Sequence, residues 1–192
     1  MSIYDLAVIG AGPGGFEAAL RARGLGFKVA LIEKSEAGGT CLNTGCIPTK
    51  AFLASSRLLG RIRDARLYGL SASDVSAEPL AIVARKNQIV ATLRKGMLQA
   101  IQKSGVEWVL GTASFVGPGR LLIRSNGSQR EIEAKNILVA AGAAPTPFPG
   151  IPFDGKKVLS STDILEASAQ AYLNAVNKLM QIPASARSGT LP

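Results

Sequence analysis

IYDLAVIGAGPGGFEAALRARGLGFKVALIEK, Ile3 to Lys34, changes its local pattern three times. Ile3 to Ile9 is a short apolar run that leans to strand. GAGPGG, Gly10 to Gly15, stops it with glycines. FEAALRAR, Phe16 to Arg23, consists of good helix formers and ends at a glycine. KVALIEK, Lys28 to Lys34, reads as a second buried strand. Strand, glycine turn, helix and strand within about 32 residues have the size of a βαβ unit. Its two strands lie parallel, joined by a right-handed crossover.

Gly10, Gly12 and Gly15 fit G-x-G-x-x-G. The first glycine permits a tight turn, the second lets a pyrophosphate approach the backbone, and the third lets helix and strand pack closely. The pyrophosphate then sits at the positive helix N-terminus, and Glu33 can accept hydrogen bonds from a ribose diol. An ordinary strand–helix turn is the competing reading. The preceding strand, the following helix and the acid at Glu33 favour the dinucleotide site. The loop alone does not separate FAD from NAD.

The chain has 192 residues, 47% of them hydrophobic and 5% aromatic, which suits an Ala/Gly/Val/Leu-rich α/β interior. It contains no run of 18 apolar residues, so no membrane span is expected. MSIYDLAVIGAG lacks the basic start and cleavage site of a signal peptide, and a cytoplasmic protein is the expectation. The net charge is +9, with one denser run at Arg57, Arg61, Arg63 and Arg66. No nucleic-acid module or aromatic platform accompanies it, so it reads as a solvated helix face or an attraction for an anionic ligand.

Cys46 to Arg66 reads as helix, with Pro48 tolerated in its first turn, and Leu70 to Pro79 as loop. Leu80 to Lys103 reads as one long helix or two, stopped by Gly105. Its stripe Ile82, Ile89, Leu93, Met97 and Ile101 is expected to be ordinary core packing. VEWVLGTASFV, RLLIRS and REIEA (Val106–Val116, Arg120–Ser125 and Arg130–Ala134) read as strands, with Asn126-Gly127 as a hairpin turn. NILVAAGAAPTPFPG, from Asn136, reads as a further strand entering a proline-rich loop, and Thr162 to about Gln181 as an amphipathic helix. IPASARSGTLP closes the chain as a loose end.

GGTCLNTGCIPTK, Gly38 to Lys50, holds the chain's two cysteines, Cys41 and Cys46. A structural zinc site takes about four Cys or His ligands, and the chain has two cysteines and no histidine. A structural disulfide is uncommon in the cytoplasm, and so short a loop constrains the unfolded chain little. A redox-active dithiol remains. In an ideal helix residues five apart have Cα atoms about 8–9 Å apart, whereas a disulfide wants less than about 7 Å. A bond between these cysteines therefore requires the backbone around Leu42 to Gly45 to leave the helix, which Gly45 and Gly38-Gly39 make cheaper. Strain of this kind makes a disulfide easier to reduce.

The segment resembles the active-site signature G-G-x-C-x-N-x-G-C-x-P-x-K of the flavin-dependent pyridine nucleotide–disulfide oxidoreductases, and meets every fixed position. Within that family it most resembles the dihydrolipoyl dehydrogenase branch; mercuric and glutathione reductases are neighbouring branches that share most of it. YDLAVIGAGPGG, GTASFVG (Gly111–Gly117), LVAAGAAPTPFPGIP (Leu138–Pro152) and SSTDIL (Ser160–Leu165) support the likeness, which covers about residues 3 to 166.

The resemblance implies an α/β fold: a Rossmann-like FAD-binding domain over residues 1–166, with an inserted helical segment and a small antiparallel β-meander. Residues 167–192 do not match the family, and the NAD and interface domains of a complete enzyme are expected to be absent. It implies FAD held at Gly10, Gly12, Pro13, Gly14, Gly15, Glu33, Lys34 and Gly39, with Thr40 and Lys50 along the flavin. Backbone contacts are implied from Ala113 and from Ala140, Ala141, Gly142 and Ala143. The family usually has Ala-Thr-Gly at Ala140-Ala141-Gly142, so a hydroxyl is lost here. Cys46 would face the flavin and Cys41 would exchange with the substrate, the two forming a redox disulfide.

The implied reaction is oxidation of dihydrolipoamide, carried on a lipoyl protein of a 2-oxo acid dehydrogenase or glycine cleavage complex, with NAD as final acceptor. The complete enzyme would be a homodimer with a proton-moving histidine. This chain is expected to be a truncated form that does not complete the cycle, and a non-catalytic FAD-binding fragment is the alternative in another class. No metal, nucleic-acid or membrane partner is expected.

Overall fold

A computed structural model of the chain describes residues 3–163. β1 (Ile3–Ile9) and β2 (Val29–Glu33) form where the apolar runs predict them, and β2 is buried along its whole length, as a parallel strand covered on both faces must be. Between them α1 (Pro13–Gly24) starts at Pro13, three residues before the predicted helix, because proline is already set for the first helical position. Next come α2 (Gly39–Asn43), α3 (Cys46–Arg63), a short 3₁₀ turn (Asp64–Tyr68) and α4 (Pro79–Ser104). Helix 46–66 is thus shorter than expected, ending in the tighter turn, whereas the 80–103 segment is one helix.

The strands β3 (Glu107–Leu110), β4 (Thr112–Gly117), β5 (Arg120–Ser125) and β6 (Ser128–Val139) complete a six-stranded sheet in the order β3-β2-β1-β6-β5-β4. β3, β2, β1 and β6 run parallel; β4, β5 and β6 form an antiparallel meander. The turn between β5 and β6 has both Asn126 (φ 43) and Gly127 (φ 79) in the left-handed region, as the Asn-Gly pair predicts. The single strand expected over Val106–Val116 is broken at Gly111 (φ 151), where a Cβ would lie 2.8 Å from the Arg124 carbonyl oxygen. The chain leaves β2 there and joins β5.

REIEA and NILV, read as separate strands, are one. The first half of β6 pairs with β5 and the second half with β1, the exchange falling at Glu133. The polar Lys135-Asn136 that separated them in the sequence is bound to β1: Lys135 Nζ lies 2.8 Å from Asp5 Oδ1, and Asn136 Nδ2 donates to the Asp5 carbonyl at 3.1 Å. The interruption is a lateral tie and not a turn.

Alternation along β2 builds two apolar clusters. Ala30 and Ile32 join Tyr4, Leu121 and Ile132 on one face. Val29 and Leu31 join Val8, Ala19, Ala22, Val106 and Ile101 on the other, under α1 and the end of α4. The α4 stripe does not match the expectation of core packing: of its five residues only Ile101 is buried, and Leu93 is 44% exposed. Only the last turn of α4 rests on that cluster.

The chain divides into two compact units. One takes residues 3–47 and 89–144, which include the whole sheet; the other takes residues 48–88 and 145–163 of those described. In the second, the Ser160 backbone N–H donates to the Asp163 carboxylate at 2.7 Å and the Asp163 N–H to Ser160 Oγ at 3.2 Å, a reciprocal helix cap. The helix expected from Thr162 to Gln181 lies outside the described residues from position 164 on. Among the described residues no helix is long and apolar enough to cross a membrane.

Candidate functional site

β1, β2 and β6 end at Ile9, Glu33 and Val139, at one edge of the parallel sheet. β1 is where the strand order turns back on itself, β2 lying to one side and β6 to the other. In open α/β sheets that edge is where ligands bind. A cavity of about 670 Å³ lies there, within the usual range for a cofactor site.

Each glycine of the first loop has a separate reason. Gly10 takes φ 104, and a Cβ on it would fall 2.3 Å from the Ala140 carbonyl oxygen. A Cβ on Gly15 would fall 1.9 Å from the Gly10 carbonyl oxygen, so this glycine holds α1 against the end of β1. Gly12 is different. Its φ of −67 suits any residue, and a Cβ would meet only the Gly39 Cα, at 3.9 Å. It leaves space on the cavity side, as does Gly14, around which nothing lies within 4 Å.

α1 has no side-chain cap and no acid in its first turn. Its first free N–H groups thus remain available to an acceptor from outside the chain. Glu33 is 8% exposed and is held in place: Oε2 accepts from the Ala11 N–H at 2.8 Å, and Oε1 from the Ser35 N–H at 3.0 Å. Oε1 also accepts from the Ser35 hydroxyl at 3.3 Å, so Oε2 is the oxygen that keeps a lone pair for a diol. An uncapped helix start, a glycine cradle and a fixed carboxylate in one cavity fit a dinucleotide's pyrophosphate and ribose.

The thiol segment hangs on this loop. The Gly38 N–H donates to the Ala11 carbonyl at 2.8 Å. A Cβ on Gly39 (φ 56) would lie 2.9 Å from Gly12 Cα, so the two backbones touch. α2 then carries Cys41 for one turn and stops at Thr44 (φ −137, ψ 19) before α3 begins at Cys46. The backbone leaves the helix where the sequence argument requires. The reason for Gly45 is closeness more than flexibility: a Cβ there would be 2.8 Å from the Thr40 carbonyl oxygen and 3.3 Å from Cys41 Cα. Both cysteines are thiols in this structure, Cys41 half-buried and Cys46 exposed.

The cavity wall includes Gly10, Gly12, Pro13, Gly14, Glu33 and Lys34 from the first half of the expected site, and Gly39, Thr40 and Cys41 from the thiol segment. Ala140, Ala141, Gly142 (φ 74) and Ala143 close it from the end of β6. Gly15, Ala113, Cys46 and Lys50 are not in this wall. Gly15 packs on Gly10; Ala113 sits in β4 against the core beneath the sheet. Cys46 opens α3, and Lys50 is an exposed residue of α3 in the second unit.

Ser35, Glu36, Asn43 and Thr44 line the cavity in addition to the residues expected from the sequence. Asn43 had a sequence signal: it is a fixed position of the signature, and asparagine is a poor choice inside a helix without a local task.

A sequence model of the family described as "Pyridine nucleotide-disulphide oxidoreductase" matches residues 4–180. Dihydrolipoyl dehydrogenase 3 of Pseudomonas aeruginosa is 41% identical over 169 residues, 86% of this chain and 36% of the relative. Dihydrolipoyl dehydrogenase of Bacillus subtilis is 41% identical over 165 residues, 85% of this chain and 36% of the relative. The mitochondrial dihydrolipoyl dehydrogenase of Schizosaccharomyces pombe is 40% identical over 169 residues, 86% and 33% of the two chains. Among solved structures, the HOCl-induced flavoprotein disulfide reductase RclA of Escherichia coli, a Cu(II) complex, superposes with a TM-score of 0.67 at 29% identity. That match covers 86% of this chain and 34% of the other. The chain thus spans about a third of the length of the relatives it matches.

Proposed function

The chain belongs to the pyridine nucleotide–disulphide oxidoreductase family, and from that premise we propose that it is the FAD-binding, dithiol-bearing part of a dihydrolipoyl dehydrogenase. The observation that carries this reading is that the glycine cradle, Glu33 and Cys41 wall one cavity. The first-turn N–H groups of α1 and the cradle at Gly12 and Gly14 would hold the pyrophosphate, and Glu33 the ribose. When bound, FAD supplies a two-electron acceptor for the thiol pair, and NAD is the final acceptor in a complete enzyme.

The chemistry at the chain's own residues is thiol–disulfide exchange. With Cys41 and Cys46 joined as a disulfide, one thiolate of dihydrolipoamide attacks Cys41 Sγ, and Cys46 leaves as a thiolate. The substrate's second thiol then attacks its own sulfur in that mixed disulfide and releases Cys41. Two electrons and two protons pass to the protein, and lipoamide departs with its ring closed. The chain contains no histidine, so these protons move without an imidazole of its own. In a complete enzyme the partner is a lipoyl-carrier protein and the assembly a homodimer.

The test reads the half-reaction alone. The purified chain is loaded with FAD, desalted and assayed for flavin per chain; it is then oxidised, mixed with dihydrolipoamide and assayed for new protein thiols. Near one flavin per chain and two thiols gained are expected, with no thiols gained in Cys41→Ser. A chain that retains no flavin and gains no thiols would refute the reading. A sister flavin disulfide reductase is the second reading, favoured by the solved neighbour. It predicts that another substrate dithiol exchanges faster than dihydrolipoamide.

A further inference from the structure

Asn43 ends α2, two residues beyond Cys41, and every polar position of its amide is engaged. Its Nδ2 donates to the carbonyls of Ala37 and Gly39 at 3.0 and 2.9 Å. Its Oδ1 accepts from Arg94 Nε at 3.1 Å and from Arg94 Nη2 at 2.6 Å. The two donors and two lone pairs of an amide are then all used, and the two carbonyls fix which way it points. Arg94 comes from α4, 51 positions away, and its remaining Nη1 lies 3.3 Å from Glu36 Oε1. One guanidinium thereby spans both ends of the segment that carries Cys41. A lysine offers no such planar fork.

We infer that Arg94 is a positioning residue for the redox pair: through Asn43 and Glu36 it holds the Cys41 turn where Cys41 and Cys46 close on each other. The inference rests on the redox reading of these cysteines. α2 is a single turn of five residues, too short to hold its shape alone. Released from α4, it samples more arrangements, and closing the disulfide must order it again. The disulfide is then formed less readily from the same thiols.

The test is an equilibrium. The full chain is incubated in buffers of oxidised and reduced dithiothreitol, where protein dithiol plus cyclic disulfide gives protein disulfide plus reduced dithiothreitol. After acid quench the remaining thiols are alkylated and counted by mass. Wild type is compared with Arg94→Met and Arg94→Lys, with thermal melts of the reduced proteins as the folding control. The expected result is a disulfide-forming constant about 3- to 10-fold lower in Arg94→Met, the size of one net hydrogen bond. Arg94→Lys, which restores one donor and the charge, should fall between the two. Variants within twofold of wild type, or above it, overturn the inference and leave the redox reading standing. A wild-type chain that forms no internal disulfide overturns both. If Arg94→Met does not fold, Arg94→Lys decides alone.

Discussion

Gly15 and Gly14 are neighbours in the same turn, yet the structure asks opposite things of them. A Cβ on Gly15 would sit 1.9 Å from a backbone carbonyl oxygen, and one on Gly14 would meet nothing within 4 Å. Gly15→Ala should therefore cost about 3 kcal/mol or more, since neither backbone can yield without unseating α1 from β1. Gly14→Ala should be neutral or stabilising by up to about 1 kcal/mol, alanine being the better helix former. Urea melts of the two variants check the contrast, and equal costs would sink the packing argument. The packing role of Gly15 was legible in the sequence because it depends on Gly10, five residues away. The contact of Arg94 with Asn43 was not, because it joins residues 51 positions apart that meet only once α4 lies across α2.

At the scale of elements, a three-residue network ties β1, β3 and β6. The Tyr4 hydroxyl donates to Glu107 Oε2 at 2.6 Å and accepts from Arg130 Nη2 at 2.7 Å, while Arg130 Nη1 lies 2.8 Å from Glu107 Oε1. Burial alone would push the Glu107 carboxyl up, but the hydrogen bonds from Tyr4 and Arg130 outweigh it and hold the group below its ordinary value of 4.5. A carboxylate held low stabilises the fold fully above the unfolded value, and that stabilisation is lost as pH falls through the folded value. Glu107 is 42% exposed, so the effect is modest, about 0.5–1 kcal/mol. Glu107→Gln should be less stable than wild type at pH 6.5 by that amount, and the two should converge as the pH falls well below 4.5. Urea midpoints at pH 6.5 and 3.5 measure this, and a gap that widens in acid would contradict it. The strands themselves were legible from their apolar runs. The network was not, nor was the continuity of β6, because polar Lys135 and Asn136 read as a break until their partner on β1 is known.

For the whole molecule, the cofactor site and the stability of the fold are one equilibrium. A ligand that binds only the folded chain stabilises it by RT ln(1 + [L]/Kd), about 2.7 kcal/mol when FAD is present at a hundred times its Kd. For a chain of this size each kcal/mol moves the melting temperature by roughly 2–4 °C, so a rise of about 5–10 °C is expected. Gly12 separates binding from folding. Its φ of −67 accepts a side chain, and a Cβ would make only an ordinary contact, at 3.9 Å, with Gly39. On the reading proposed above, a pyrophosphate reaches the backbone through the space beside Gly12, which that Cβ would narrow. Gly12→Ala should thus melt within about 2 °C of wild type without FAD, in keeping with a change of under 1 kcal/mol, and should lose most of the FAD-induced rise. Calorimetric melts of the two proteins with and without FAD distinguish the possibilities. Equal rises in wild type and Gly12→Ala would move the cofactor away from this loop. No rise in wild type would mean that the glycine cradle and Glu33, though assembled, do not hold FAD in this chain.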